Sequence, residues 1–255
     1  MDSSASEGRV PTPTAYVGTS GWMYDWNPDG FDWYAKYSNL NAVELNASFY
    51  RFPFPNQVKS WASKTERLTK GGMRWAVKVT RLVTHVHLLN ERALKPWRAF
   101  LRTMKPLDKY VDFYLLQLPP RARPTKPFIT RLTSFLKEAV KDVGEWRVAV
   151  EFRDESWFSD EWVEFCASLG VTYVSVDSPQ ATYVRSSGPA AYVRMHGREF
   201  WYAHYYTDEE LDEVASILSE LSVEKAYVFF NNDHDMLENA RRFMLKLTGY
   251  GFKLG

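Results

Sequence analysis

Six apolar runs of this chain each end in polar or charged residues. In chain order, the ends carry Glu44 and Asn46; Lys78; Gln117; Glu151 and Arg153; Arg194 and His196; and Asn231, Asn232 and Asp233. A strand that is buried on both faces accepts a charge at low cost only near its end. Polar groups repeated at the carboxyl ends of parallel strands therefore predict one shared pocket, as at the mouth of an α/β barrel.

Acidic residues and a histidine at these ends have the chemistry of a catalytic site. With an aspartate that follows a further apolar run, the set is Glu44, Glu151, Asp177 and His196. Three carboxylates and one imidazole suit a hard or borderline divalent cation, so these residues are candidate metal ligands as well as candidates for proton transfer. The sequence thus allows a divalent metal as cofactor, and it contains no glycine fingerprint that would indicate an organic one.

The same pocket would contain a matching set of hydrogen-bond donors. The donors are Lys78, Arg153, Arg194, Asn46, Gln117, Asn231 and Asn232. Fixed cationic donors around a cavity bind a phosphate or a carboxylate well. The three cations also balance the three carboxylates, so a buried ion network without a metal is an alternative interpretation.

The two glutamates have a further interpretation as the acid and base of a glycoside hydrolase. Arg153 would keep one carboxyl ionised while burial raised the pKa of the other. Aromatic loop residues would then stack on a sugar; they could equally stack on a nucleobase or close the barrel as an apolar lid. The aromatic candidates are Trp22, Tyr24, Tyr50 and Trp157.

Two histidines, His85 and His87, follow the third predicted strand. Proximity to Lys78 makes His85 a further candidate for proton transfer, although a loop histidine is more often simply hydrogen-bonded at the surface. The single cysteine, Cys166, has helical spacing with apolar neighbours, so we expect it to pack in the core rather than act as a nucleophile.

Eight segments rich in β-branched and aromatic residues predict the strands that would position these side chains. They are residues 16–20, 42–46, 73–80, 112–118, 146–152, 171–176, 191–196 and 225–230. Helical patterns lie between most of them, at residues 56–66, 91–104, 128–140, 160–169, 208–221 and 234–247. The alternation favours parallel βα units. Helices after strands one and six are weakly indicated, because residues 31–37 are few and residues 178–189 have the composition of an irregular loop.

Loop lengths and strand parity select one face of the barrel for the site. Loops after the predicted strands are long and rich in Trp, Tyr, Pro and His, whereas those after the helices are shorter. In a barrel the post-strand loops line the catalytic mouth. Because side chains alternate along a strand, Glu44 shares a face with Asn46, and Arg194 with His196. The neighbouring faces are apolar and suit contact with helices, so we expect the polar faces to point into the barrel.

Length and charge limit the class of protein. At 255 residues, the chain suits one α/β-barrel domain over residues 14–255 after a flexible tail at residues 1–13. The net charge of +1 gives no global field for nucleic acid or an anionic membrane, so any anion site must be local. One cysteine, a polar start and the lack of a membrane-length apolar run predict a cytoplasmic protein without membrane contact. The sequence leaves the oligomeric state open.

Motifs along nearly the whole chain resemble the YecE-like family, also called domain of unknown function 72. They are GTSGWMYDW at 18–26, VELNASFYRFP at 43–53, KVTRLVTH at 78–85, LLQLPP at 115–120, VEFRDESWF at 150–158, YVRMHG at 192–197 and VFFNND at 228–233. The resemblance implies a TIM-type barrel but no established reaction. Family members often have His where this chain has Asp154 and Thr where it has Ser48, so a titrating group is lost at the first position.

These observations favour a single (β/α)8-type TIM barrel enzyme that acts on an anionic, phosphate-bearing substrate derived from a nucleotide or nucleic acid. Hydrolysis, including phosphodiester cleavage, is the favoured reaction class, with lyase and isomerase chemistry left open. The cations would stabilise developing negative charge. The alternatives are a non-catalytic module that binds a nucleotide or single-stranded nucleic acid, and a glycoside hydrolase with a carboxylate pair.

Overall fold

Eight parallel strands form a ring in the computed structural model, which describes residues 12–255. The predicted tail therefore lies almost entirely outside the described residues. The strands are β1 (Thr14–Thr19), β2 (Ala42–Leu45), β3 (Arg74–Lys78), β4 (Val111–Gln117), β5 (Val148–Glu151), β6 (Thr172–Ser178), β7 (Ala181–Tyr183), β8 (Ala190–Met195), β9 (Lys225–Phe230) and β10 (Lys253–Leu254). The ring runs β1-β2-β3-β4-β5-β6-β8-β9 and returns to β1, which is a TIM-barrel arrangement.

Helices follow most of the ring strands and cover the outside of the sheet. They are α1 (Gly30–Tyr37), α2 (Pro55–Thr69), α3 (Leu94–Met104), α4 (Lys126–Val143), α5 (Asp160–Ser168), α6 (Asp208–Glu220) and α7 (Met236–Gly249). The predicted fold class is confirmed. After β1 a helix of two turns forms, whereas after β6 the chain folds back as β7, antiparallel to β6, where a helix would otherwise stand. None of the helices in residues 12–255 has the length and apolar character needed to cross a membrane.

Side-chain alternation separates two apolar cores. The larger core lies between the sheet and the helices, and the smaller one fills the lower part of the barrel interior with residues such as Phe113, Tyr227 and Phe229. Ala42 and Ala76 belong to the inner core. Two positions further along these strands the same faces carry Glu44 and Lys78, so the interior changes from apolar to polar towards the mouth.

The seam between β1 and β2 lacks a regular hydrogen-bond ladder. One backbone bridge joins the two strands, between Ser20 and Glu44. Below it the backbones come very close: a Cβ at Gly18 would lie 2.3 Å from the Ala42 carbonyl oxygen, so only glycine fits there.

Side chains supply the missing partners along this seam. The Asn41 side-chain oxygen accepts a hydrogen bond from the Val17 amide at 2.7 Å. The buried Tyr34 hydroxyl accepts from the Thr19 amide at 3.1 Å and donates to the Ala42 carbonyl at 2.9 Å. The ring is therefore closed at this point by two side chains from outside the sheet and one backbone bridge.

Candidate active site at the barrel mouth

Glu44 and Arg194 form a fully buried ion pair inside the mouth. The guanidinium Nη2 and Nε contact the two carboxylate oxygens of Glu44 at 2.6 and 3.0 Å. The hydroxyls of Ser20 and Tyr192 donate to the same carboxylate, each at 2.6 Å. Both oxygens of Glu44 are therefore occupied by donors. This geometry does not support the predicted role of Glu44 as a general acid, a general base or a metal ligand; Glu44 orients Arg194.

Glu151 receives the other side of the same guanidinium. Its Oε2 accepts from Arg194 Nη1 at 2.6 Å, and its Oε1 lies 2.8 Å from His196 Nε2. Arg153 Nε lies 2.9 Å from Oε1, close enough for an ion pair but without hydrogen-bond geometry. Burial alone would raise the pKa of Glu151, but the charges of Arg153 and Arg194 outweigh it and hold this pKa well below the usual range. Glu151 is thus ionised at neutral pH.

His196 is neutral and has both ring nitrogens engaged. Burial, reinforced by the charge of Arg153, lowers the pKa of His196 to about 3. The Asn231 amide nitrogen lies 3.1 Å from Nδ1, so with Asn231 as donor the ring proton sits on Nε2 and is donated to Glu151. Trp201 packs against the ring, with centroids 5.2 Å apart. These contacts fix the imidazole but leave it no nitrogen that faces a ligand.

Lys78, at the end of β3, differs from these saturated groups. Its side chain is only 5% exposed, and Nζ lies 4.3 Å from the ring centroid of Phe49. Within residues 12–255 the ammonium group takes part in none of the ion pairs formed by Glu44 and Glu151. Burial, together with the charge of Arg194, lowers the pKa of Lys78 to about 7. An amine that is half neutral near pH 7 can donate or accept a proton.

Arg153 is the second cation of the mouth with unused donors. It is 8% exposed, its guanidinium lies 4.6 Å from the Trp201 ring centroid, and its Nε is buried without a hydrogen-bond partner among the described residues. A buried guanidinium normally fills most of its donor positions. Because Nε already lies beside Glu151, an incoming acceptor would bind the terminal nitrogens of this guanidinium.

His85 lies in a π-helical turn after β3, Leu82–Val86. Its Nδ1 shares a hydrogen bond of 2.9 Å with the Thr84 hydroxyl, and its ring packs edge-on against Phe49 with centroids 4.9 Å apart. Burial and the charge of Lys78 lower the pKa of His85 to about 4. The structure thus places a half-buried, neutral histidine on the same ring that Lys78 contacts, and π-turns of this kind often occur at functional sites.

Residues that the sequence did not single out hold Lys78 in place. Ser48 and Phe49 form a 3-10 turn after β2 with Ala47. The Ser48 hydroxyl donates to the Lys78 carbonyl at 2.6 Å. Only the fold brings this turn to β3, so no local pattern would have revealed it. Tyr192 and Ser20 were missed as well, although Tyr192 lies two residues before Arg194 and parity alone puts both on one face.

The remaining polar candidates at the mouth have different surroundings. Asn46 directly follows β2, and its side-chain oxygen is buried without a hydrogen-bond partner among residues 12–255. Gln117 ends β4 half-buried, and its amide nitrogen donates to the Leu118 carbonyl at 2.7 Å. The side-chain oxygen of Asn46 could therefore accept a hydrogen bond from a ligand, whereas the amide nitrogen of Gln117 already donates to a backbone carbonyl.

An aromatic groove of about 560 Å³ opens beside the mouth, between the loops after β1 and β2. Ser20 and Asn46 line its inner end, and Tyr24 and Tyr50 line its walls. Tyr50 is 73% exposed, whereas the predicted stacking residue Trp22 is almost buried among other aromatic rings and presents only part of its surface to the groove. The groove is thus apolar with polar groups at the end nearest the barrel interior.

Asp177 does not lie in the mouth, contrary to the sequence prediction. β6 continues to residue 178, and Asp177 pairs in register with Met195, whose side chain packs in the outer core. Its carboxylate accepts from Arg198 at 2.8 Å, from Tyr206 at 2.9 Å and from Thr182 at 2.9 Å. Asp177 therefore ties the loops after β6 and β8 to the outside of the sheet.

Asn232 and Trp157, two of the predicted ligand-binding residues, lie away from the mouth. Asn232 is fully buried and donates to the His204 carbonyl and the Asn239 side chain, both at 2.7 Å. Trp157 is fully buried, stacks on Phe152 with centroids 4.2 Å apart and donates to a backbone carbonyl. Both residues face the outer core.

The predicted metal site is not assembled. Asp177 is absent from the pocket, and Arg194 occupies the carboxylates of both Glu44 and Glu151. In the part of the chain from residue 12 onward, no three His, Cys, Asp or Glu side chains are grouped closely enough to hold a metal ion. The buried ion network, which the sequence left as the alternative, describes the arrangement of these side chains.

Comparison with known proteins places the chain among relatives of the same fold. A family model described as "Protein of unknown function DUF72" matches residues 16–252. The UPF0759 protein YunF of Bacillus subtilis is 25% identical over 243 residues, which cover 81% of this chain and 83% of that protein. These matches extend over the strands that carry the mouth.

Solved structures agree with the sequence comparison. A DUF72 family protein from Thermotoga maritima is 27% identical, with a TM-score of 0.78 over 92% of this chain and 99% of that one. A DUF72 family protein from Enterococcus faecalis is 22% identical, with a TM-score of 0.78 over 92% and 98%. D-psicose 3-epimerase from Clostridium cellulolyticum shares the fold alone, at 13% identity and a TM-score of 0.60 over 94% and 99%. The chain therefore belongs to the DUF72 family of proteins of unknown function.

Proposed function

We propose that this protein is a barrel enzyme that binds an anionic, phosphate-bearing substrate at Lys78 and Arg153. The observation that carries the proposal is a pair of buried cations: among residues 12–255, Lys78 joins no ion pair with Glu44 or Glu151, and the Nε of Arg153 lies beside Glu151 without forming a hydrogen bond. A phosphate or carboxylate would accept hydrogen bonds from both, and such charge-assisted bonds are the stronger class.

Charge balance at the mouth supports an anion. When Lys78 is protonated, three cations (Lys78, Arg153 and Arg194) face two carboxylates (Glu44 and Glu151), which leaves an excess of one positive charge in a buried setting. The depressed pKa of Lys78 is one expression of this excess, because burial and the neighbouring guanidinium both disfavour its ammonium form. A bound anion would reverse the imbalance and raise that pKa.

Hydrolysis remains the reaction class that we propose first. The fraction of Lys78 that stays unprotonated in the complex would take a proton from an attacking water, and Arg153 would stabilise the negative charge that develops on the substrate. The aromatic groove next to Asn46 is suited to a planar ring, so a nucleotide-type phosphate ester is the proposed substrate class. The carboxylate-pair mechanism of glycoside hydrolysis is not supported, because one guanidinium holds both glutamates.

Binding can be tested by calorimetric titration of inorganic phosphate and a nucleoside monophosphate into the full chain. Arg153→Gln and Lys78→Met should each weaken binding by about tenfold or more, the usual effect of losing a hydrogen bond to a charged group. Arg98→Gln and Lys109→Met are matched controls, since both remove a cation that lies in an exposed ion pair elsewhere. Unchanged affinity in Arg153→Gln would exclude the proposed anion site.

Turnover separates the enzyme from the alternative, a non-catalytic binding module. Phosphomonoester and phosphodiester substrates should release product with wild-type protein, and Lys78→Met should abolish that release. Saturable binding without product, with or without added divalent cations, would favour the module.

A further inference from the structure

We infer that Lys78 also acts as a nucleophile, forming an imine with aldehydes or ketones that carry an anionic group. The inference rests on the proposed anion site and specifies a second substrate class for it. The same amine would act as a base in hydrolysis. In imine formation, the electron pair of the amine attacks a carbonyl carbon instead of taking a proton from water.

The surroundings of Lys78 are those of a reactive amine rather than of a structural cation. Lysine is almost never buried without a partner, yet this side chain is 5% exposed and its Nζ lies 4.3 Å from the centroid of the Phe49 ring. The aromatic ring excludes water from one side of Nζ. Ser48 fixes the backbone of Lys78 through the carbonyl oxygen, which holds the stem of the side chain at the strand end.

The protonation state favours attack. Because the pKa of Lys78 is about 7, roughly half of the amine is unprotonated at neutral pH, compared with about one in a few thousand for an exposed lysine. Only the unprotonated form has the electron pair that attacks a carbonyl.

Arg153 determines which carbonyl compounds would react. It is the other cation of the mouth with unused donors, and it interacts electrostatically with Lys78. A phosphate or carboxylate bound there would bring a carbonyl carbon of the same small molecule to the amine. Neutral aldehydes lack that anchor and should react more slowly.

The reaction balances without an oxidant or a reductant. Nζ adds to the carbonyl carbon and the oxygen takes up a proton, which gives a carbinolamine. The carbon–oxygen bond then breaks, a second proton joins the departing oxygen to form water, and the nitrogen keeps one hydrogen as a protonated imine. Amine, carbonyl compound and one proton thus give an iminium ion and one water. His85 packs on the same Phe49 ring, and in this proposal it would relay the protons. The iminium ion would then withdraw electrons from the neighbouring carbon, as lyase and isomerase chemistry requires.

The test is reductive trapping of the full-length protein. Wild type is incubated with glycolaldehyde phosphate or with uncharged glycolaldehyde in the presence of sodium cyanoborohydride, and adducts are located by peptide mass spectrometry. We expect one adduct on Lys78, formed about tenfold faster with the phosphate compound. The rate of adduct formation should rise with pH through about 7 and should fall when inorganic phosphate is added. Lys78→Arg should lose the adduct, and Arg153→Gln should keep it but lose the preference for the phosphate compound.

The outcomes separate this inference from the proposed function. Adducts spread over surface lysines, or equal labelling in Lys78→Arg, would overturn the imine, while phosphate binding by calorimetry would leave the anion site standing. Labelling of Lys78 at equal rates with both aldehydes, and without protection by phosphate, would overturn the anionic substrate class. Phosphate protection needs only wild-type protein, so the test holds even where a variant does not fold.

Discussion

The mouth of the barrel has two halves that use the same residue types differently. In the closed half, formed by β1, β2 and β8, the carboxylate of Glu44 takes four donors and Arg194 is shared between two carboxylates. In the open half, at the ends of β3 and β5, Lys78 rests on an aromatic ring, and Arg153 lies 2.9 Å from Glu151 with its Nε left without a hydrogen bond among the described residues. Burial of a charge is tolerable when it is paired and costly when it is not. We therefore expect the closed half to stabilise the structure, and we propose the open half as the place where a ligand binds.

The largest expected difference between the halves is in stability. Arg194→Met leaves Glu44 and Glu151 without their main counter-ion, so the free energy of unfolding should fall by about 3–5 kcal/mol. Lys78→Met removes a buried amine that has no ion-pair partner in the described part of the chain, and it should change that free energy by less than about 1 kcal/mol, or increase it. Urea unfolding followed by tryptophan fluorescence measures both. Similar losses in the two variants would contradict the division into halves.

A pH dependence should belong to the open half alone. The pKa of Lys78 is about 7 in the folded protein against 10.5 for a free side chain, so between these values the unfolded chain binds more protons. Stability contributed by this residue therefore rises with pH in that window, by at most about 1.4 kcal/mol per pH unit, and is constant below it. The difference in unfolding free energy between wild type and Lys78→Met should show the rise from about pH 7 to 9. A flat difference would mean that the amine is not desolvated.

Asp177→Asn tests whether the hydrogen bonds of Asp177 on the outside of the sheet are independent of ligand binding at the mouth. The substitution weakens the contacts with Arg198, Tyr206 and Thr182. Because Arg198 is partly exposed, we expect the free energy of unfolding to fall by only about 1–3 kcal/mol. Phosphate affinity should not change. Asp160→Asn, in an exposed ion pair, is the control and should cost less than about 0.5 kcal/mol. Loss of phosphate binding in Asp177→Asn would return this residue to the site.

The smallest expected effect concerns Ser48, which follows β2 in the closed half and donates to Lys78 in the open half. Ser48→Ala removes the hydroxyl that donates to the Lys78 carbonyl and should cost about 1 kcal/mol of stability. It should also lower the rate of reductive labelling at Lys78 by a few-fold, because the strand end is held less firmly. Ser48→Thr keeps the hydroxyl and should retain both values; equal effects of the two substitutions would show that the hydrogen bond is unimportant.

Much of this architecture was accessible from sequence because it follows from local rules. Strands and helices were predicted from their periodicities, and all eight predicted strands overlap ring strands. Parity also explains why two predicted site residues lie outside the mouth. Val174 faces the inner core, so Asp177, three residues later, must face outward; likewise Asn232 falls on the opposite face from Asn231.

Other features could not be read from any local pattern. Whether a charged group is saturated or open depends on neighbours that are distant in sequence, such as Tyr192 for Glu44 and Phe49 for Lys78. Trp157 lies in a predicted loop, yet its ring stacks on Phe152 and donates a hydrogen bond to a carbonyl that is distant in sequence. The division of the mouth into halves is thus a property of the tertiary fold.

The seam between β1 and β2 also bears on the order in which the protein assembles. Ser20 stands on one side of the seam and Glu44 on the other, and Arg194 contacts both from across the barrel. Joining the first strand to the second therefore completes the ring and the charge network in the same step. Elsewhere around the ring backbone ladders hold adjacent strands, whereas here a few side chains do, so local opening should begin at this point. Exchange of the Val17 and Thr19 amide hydrogens with solvent reports that opening, because both amides donate to side chains at the seam.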